Sequence, residues 1–235
     1  AAKAGVDVIN IDHQHGQGGP GEMALQIMAT RAAGIGTFVR IANNDPGLIS
    51  RALDAGAQGI ICPMVNTRAE AEAFVHGVKY PPLGGRSYGP YAAGLLTDNL
   101  DTYFTGSNAW TIASGQIETA EAVDNLDAIL SVKGFDMAFV GPNDLAISLS
   151  KGESRDPLAP DCLKVIDHIQ ERCRAHGVMT GIFANDEKAC ELMMARGWQM
   201  VAMHSDARWI QTGAKEFAAL TAKMNAVAGK PAKVK

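Results

Sequence analysis

The sequence predicts a parallel α/β barrel, and three observations predict it. Short apolar runs rich in β-branched residues recur along the chain, each followed by a stretch of helical periodicity. Several of these runs are apolar on both faces, as expected of parallel strands covered by helices. Polar side chains gather where nearly every run ends, the pattern of strands converging on one barrel mouth. An open doubly wound sheet, the alternative, would concentrate them at one switch point.

Seven runs read as strands, at residues 6–12, 37–41, 59–65, 110–118, 136–141, 178–184 and 200–205. Between them the helices carry start and stop signals. Asp45 followed by Pro46 places an N-cap before a proline at the first helical position, opening a helix over 47–55. Thr67 and Glu70 have the capping-box spacing. Gly56, Gly177 and Gly197 stand where a left-handed residue closes a helix. Seven strands alternating with helices give a (β/α)8 TIM barrel whose first strand is missing from this chain. The opening AAKAG reads as the tail of the helix that would follow that strand. No linker or shift in composition divides the chain, so residues 1–228 form one barrel domain and the small, basic tail 229–235 is expected to fray. The longest irregular stretch, PPLGGRSYGPYAAGL at 81–95, reads as functional or disordered, and its Gly-Gly-Arg-Ser core could order over an anionic ligand.

Composition narrows the function classes. The 235 residues are 47% hydrophobic and 20% charged, enough for one sizeable core. A net charge of -4 and a pI near 5.9 argue against a nucleic-acid partner, which calls for a basic patch. No apolar run approaches the roughly 20 residues that span a bilayer, and no signal peptide is visible, although the chain starts without Met. The four cysteines have no CxxC spacing and read as reduced thiols of a cytoplasmic protein.

The strand ends hold the residues that could carry chemistry. The first run ends in Asp12-His13-Gln14-His15, the second in Arg40, the fourth in Gln116-Ile117-Glu118, and the fifth in Gly141-Pro142-Asn143-Asp144. Alternate strand residues share a face, so Gln116 and Glu118 point the same way. Glu118 and Asp144 can supply two oxygens to a hard cation such as Mg²⁺, with Mn²⁺ or Co²⁺ as substitutes, water and substrate completing the shell. Each residue also has a plainer reading. Asp144 and Glu118 precede helices and could cap them. Arg40 could be an ion-pair partner, and His13 and His15 could make ordinary hydrogen bonds.

The segments VDVINIDHQHG, TFVRIANNDPGLISRALDAGAQGIICPMVNTRAEAE, KYPPLGGRS, GQIETAEAVDNLDAIL and FVGPNDLAISL, with HSDAR later, occur in this order. Together they resemble the HpcH/HpaI aldolase/citrate lyase family, the class II pyruvate aldolases. The resemblance implies a divalent-metal-dependent aldolase that cleaves or forms 4-hydroxy-2-oxo acids through the enolate of pyruvate. Its partners are then a small 2-oxo acid and an aldehyde. Glu118 and Asp144 match the family's metal ligands, and Arg40 matches the arginine on the ketone or enolate oxygen. His15 matches the catalytic histidine, and Asp12 the acid of the same D-x-x-H motif. Gln116 matches a polar residue beside the metal, and the backbone amides of Asn143 and Asp144 match those that receive the substrate carboxylate. Asp54 matches an aspartate that reaches the histidine of a neighbouring subunit, for such members are homo-oligomers, often hexamers built from dimers with an exchanged C-terminal helix. Oxaloacetate decarboxylation or macrophomate-synthase-like chemistry would use the same enolate, and a non-catalytic aldolase-derived binding protein is the reading from another class. Gln14 stands where acidic residues are frequent and His13 replaces a small residue, so the resemblance implies an altered aldehyde side.

Overall fold

The computed structural model describes residues 4–228 apart from 96 and 98; the expected fraying tail lies outside the described residues. All seven expected strands are present. The first half of the chain runs β1 (Val8–Asp12), α1 (Pro20–Ala32), β2 (Gly36–Arg40), α2 (Pro46–Asp54), β3 (Gly59–Cys62) and α3 (Arg68–Val78). A long loop follows, with the short α4 (Tyr91–Gly94) and then α5 (Leu100–Trp110). The second half runs β4 (Ile112–Ile117), α6 (Ala120–Asp124), α7 (Leu126–Leu130), β5 (Met137–Val140), α8 (Pro142–Leu149) and α9 (Pro160–His176). It ends with β6 (Met179–Ala184), α10 (Glu187–Ala195), β7 (Met200–Met203) and α11 (Asp206–Val227).

The helix signals act as the sequence requires. Asp45 accepts from the Leu48 amide to cap α2, and Thr67 and Glu70 form the capping box of α3. Gly56, Gly177 and Gly197 take φ of 106°, 68° and 80° just past their helices, values that favour glycine. The strands pair in parallel in the order β1-β2-β3-β4-β5-β6-β7, a nearly closed barrel of the TIM type. Outward residues such as Val39, Ile60, Ile117, Val140 and Ile182 form the main core against the helices. Inward residues Phe38, Ile61 and Phe139, with Val8, Ile112, Phe183 and Met200, fill the barrel itself. All of β3 and β5 is buried, whereas every residue of the edge strand β7 is only half-buried, because it has a strand neighbour on one side alone. Cys62, Cys162 and Cys173 are buried free thiols, in keeping with a structural role. No helix among the described residues is long and apolar enough to cross a membrane.

Candidate active site

The ends of β4 and β5 build one side of the barrel mouth. Inward alternation along β4 continues through Gln116 to Glu118, and both side chains are buried at 2% exposure. Gln116 Nε2 donates to Glu118 Oε2 at 2.5 Å, and the Met64 amide donates to Oε1 at 2.8 Å. Met64 makes that bond from a left-handed backbone, φ 56°, a conformation uncommon for a residue with a side chain and concentrated at functional sites. Burial pushes the Glu118 carboxyl up to about 7; the Met64 amide opposes this, Asp144's negative charge adds to it, and Arg40 and Gln116 oppose it. Gly141 provides the space, since a Cβ there would lie 2.3 Å from Glu118 Oε2 and 2.6 Å from Gln116 Nε2.

Glu118 does not cap the next helix. Thr119 does so, its hydroxyl accepting from the Ala122 amide at 3.0 Å. Asp144 sits in the first turn of α8, where its charge is favoured, and remains exposed at the mouth. Asn143 exchanges amide hydrogen bonds of 3.2 and 2.8 Å with Asn185, tying that turn to the end of β6. The Gln116 amide oxygen is buried without a partner. A buried carboxylate, an unmatched amide oxygen and a second carboxylate close enough to repel the first are a donor set suited to a hard cation. Among the described residues no three His, Cys, Asp or Glu side chains converge. A cation here would therefore take two protein carboxylates and leave the rest of its shell to water and substrate.

The ends of β1 and β2 build the other side. Their register sets Asp12 beside Arg40. Arg40 donates from Nε to Asp12 Oδ1 at 3.0 Å and from Nη2 to Oδ2 at 2.5 Å, and the Gln14 and His15 amides fold over Oδ1 at 3.0 and 3.3 Å. Burial raises the Asp12 pKa, but the hydrogen bonds and charge of Arg40, with the two amides, outweigh it and hold the carboxyl below its ordinary value. Arg40 is thus an ion-pair partner and, at the same time, a positive charge felt by Glu118. His15 stands exposed at the rim.

Asp54 ends α2, just before β3 begins, and so lies at the opposite end of the barrel from His15. Within one chain the structure does not bring the two together. Asp54 instead accepts from Arg86 Nη2 at 2.7 Å. Arg86 is buried, its guanidinium 4.7 Å from the Tyr80 ring centroid and hydrogen-bonded to the Tyr103 hydroxyl at 3.2 Å. This corrects the expectation for the Gly-Gly-Arg-Ser loop: its cation is enclosed and neutralised by Asp54, not held open for an anion. Lys79 is likewise buried, bonded to Asp136 at 2.6 Å and to the Thr111 carbonyl at 2.5 Å. Three contributors escape a reading of the sequence. The left-handed Met64 carries no turn residue as a signal, the Gly141 contact depends on a neighbouring strand, and the Arg86–Asp54 pair links residues 32 apart.

The model of the HpcH/HpaI aldolase/citrate lyase family matches residues 1–211. The chain is 36% identical over 224 residues to a hydroxypyruvate/pyruvate aldolase of Rhizorhabdus wittichii, covering 93% of this chain and 86% of that one. It is also 36% identical to a 5-keto-4-deoxy-D-glucarate aldolase of Shigella dysenteriae, covering 86% of this chain and 78% of that one. Among solved structures, an HpcH/HpaI aldolase/citrate lyase family protein from Burkholderia cenocepacia superposes with a TM-score of 0.84 at 30% identity, covering 94% of this chain and 87% of that one.

Proposed function

The chain belongs to the HpcH/HpaI aldolase/citrate lyase family of carbon–carbon lyases, and we propose that it is a divalent-metal-dependent aldolase cleaving or forming 4-hydroxy-2-oxo acids through the enolate of pyruvate. The observation that carries this reading is Glu118, a buried carboxylate pushed up to about 7 with Asp144 and Arg40 both close enough to act on it. Glu118 and Asp144 are the residues that would hold the ion. Bound there, Mg²⁺, Mn²⁺ or Co²⁺ would supply Lewis acidity to the carboxylate and keto oxygens of a 2-oxo acid.

The chain's own residues account for the rest. Gln116 and the Met64 amide fix the Glu118 carboxylate, while the amides of Asn143 and Asp144, in the first turn of α8, would receive the substrate carboxylate. Arg40, held rigid by Asp12, adds a positive contact to the keto oxygen as charge develops on it. In the cleavage direction His15 takes the proton of the 4-hydroxyl, directly or through water, the role that imidazole side chains most often fill. The bond between carbons 3 and 4 then breaks, its electron pair passes into the enolate, the aldehyde leaves, and protonation of carbon 3 gives pyruvate.

The reading includes a homo-oligomer. On α11, Ile210, Phe217, Leu220, Met224 and Val227 follow a 7-3-4-3 spacing on one face, each at least 52% exposed, and the helix has no buried residue. A second copy of the chain is the partner that would cover this stripe. Such an assembly would also give Asp54 a route to His15 of the partner subunit, where it could orient the imidazole.

Stripping the protein with a chelator, restoring Mg²⁺ or Mn²⁺, and following pyruvate release from a 4-hydroxy-2-oxo acid tests the proposal. Turnover is expected to vanish and return; turnover untouched by chelation overturns it. Oxaloacetate run alongside distinguishes the decarboxylase reading, which requires it to be the better substrate.

A further inference from the structure

We propose that a second cavity at the rim of the mouth receives the aldehyde half of the substrate and is built for a neutral, hydroxylated aldehyde; this rests on the aldolase reading above. The cavity, about 250 Å³, lies beyond the ends of β1, β2 and β3 and is lined by Gln14, Asn43, Asn44, Pro63, Met64 and Glu70 among others. It shares walls with the candidate active site. The Gln14 backbone amide bonds Asp12, which anchors Arg40, and the Met64 backbone amide bonds Glu118, so residues that line the cavity also hold groups of the candidate site.

Size and polarity define its occupant. Whole-ligand pockets commonly run to ~300–1,000 Å³, so this space suits a fragment of a substrate whose other half sits on the adjoining carboxylates. Three amide side chains face it, and Gln14 Oε1 is buried with no hydrogen-bond partner. A buried acceptor left unmatched is unfavourable, and a ligand hydroxyl would satisfy it once the Gln14 amide turns toward the cavity. Asn44 is fixed at the rim by donating to the Glu70 carbonyl at 3.0 Å. The Glu70 carboxylate caps α3, accepting from the Asn66 and Thr67 amides at 2.8 and 2.9 Å. No Lys, Arg or His stands among the described lining residues, so the one formal charge at the cavity is negative. An aldehyde carrying a carboxylate would face Glu70 without a counter-charge, and an apolar aldehyde would leave Gln14 unmatched. A neutral polyol aldehyde meets neither penalty.

The test uses the Mg²⁺-loaded protein, pyruvate and three aldehydes: glyceraldehyde, propionaldehyde of equal carbon number, and succinic semialdehyde. Exchange of the pyruvate methyl protons with deuterated solvent, which needs no aldehyde, is measured alongside. Glyceraldehyde is expected to have the highest kcat/KM and succinic semialdehyde the lowest. Gln14→Leu should lower the glyceraldehyde-to-propionaldehyde ratio about tenfold, mainly through KM, intrinsic reactivity cancelling in that change. Gln14→Arg should raise succinic semialdehyde relative to glyceraldehyde. If pyruvate exchanges but the ratio does not move with Gln14→Leu, or succinic semialdehyde is preferred by the unaltered protein, the cavity assignment is overturned while the aldolase reading stands. No exchange in the unaltered protein overturns both.

Discussion

Asp12 and Glu118 are carboxylates on opposite sides of one barrel mouth, and their environments push them in opposite directions. Asp12 is partly exposed and gripped by both ends of the Arg40 guanidinium and two backbone amides, so it stays ionised below the usual range. Glu118 is buried, receives two neutral donors, and faces Asp144, so it is pushed up to about 7. The first charge is compensated within the chain and serves to anchor Arg40. The second is left short of positive charge. A carboxylate in that condition is suited to completion from outside, and under the function proposed above a divalent cation would supply it.

The most severe way to break the contrast is Glu118→Gln, which preserves the side chain's shape and its bond from the Met64 amide but removes the charge. Loss of a Lewis-acid ligand is expected to lower kcat/KM by at least ~10³ and to abolish metal binding in a calorimetric titration. Activity within tenfold of the parent would mean that Glu118 does not hold the ion. Stability gives the next largest effect. With the metal removed, native Glu118 binds its proton more tightly than the unfolded chain does between about 4.5 and 7. Its contribution is therefore full below about 4.5 and is lost as pH rises through about 7, a loss of about 3 kcal/mol at ~1.4 kcal/mol per pH unit. Asp12 has the other sign: its lowered pKa gives stability that is present above 3.8 and lost as pH falls. Denaturation in chelator from pH 5 to 8 should show the Glu118 decline, and Glu118→Gln should flatten it. A decline of equal size in that variant would assign it to another group.

Much of this was legible in the sequence because it depends on local pattern. The seven strands follow from apolar runs, α2 and α3 from Asp45 and from the Thr67–Glu70 pair, and the turn glycines from their place after helical stretches. The Asp12, Arg40, Gln116 and Glu118 set was visible as polar residues at strand ends, since parallel pairing brings successive ends together. What pattern could not supply is compensation. Whether Glu118 caps the next helix turned on Thr119 taking that role, and whether Arg86 was open to an anion turned on Asp54, 32 positions away. Such pairings exist only once the chain is closed, and so does the left-handed Met64 that aims an amide at Glu118.

Arg40→Lys sharpens the comparison from the other side. An ammonium keeps the charge but cannot engage both Asp12 oxygens while presenting a further N–H to the substrate. The expected loss is about 10² in kcat, the scale of removing one donor from a developing oxyanion, with metal affinity changed much less than by Glu118→Gln. Initial rates at saturating metal, with a metal titration of the same preparation, separate the two. A metal affinity that fell as far as in the glutamine variant would mean that Arg40 governs the ion as strongly as Glu118 does.

The smallest of these effects is the most local. Gly141→Ala adds one methyl group on β5's side of the mouth, 2.3 Å from Glu118 Oε2 and 3.0 Å from its Cβ. The Met64 and Gln116 hydrogen bonds restrict where the carboxylate can go, so it must move by about an ångström, straining or breaking one of them. Asp12 and Arg40 touch nothing that moves. Metal affinity should therefore weaken about tenfold, the lower end of what disturbing a ligand's supports costs, with kcat at saturating metal much less affected. If the metal titration is unchanged, the snug fit of Glu118 against Gly141 does not govern the site, and the contrast between an anchored Asp12 and a poised Glu118 loses its structural basis.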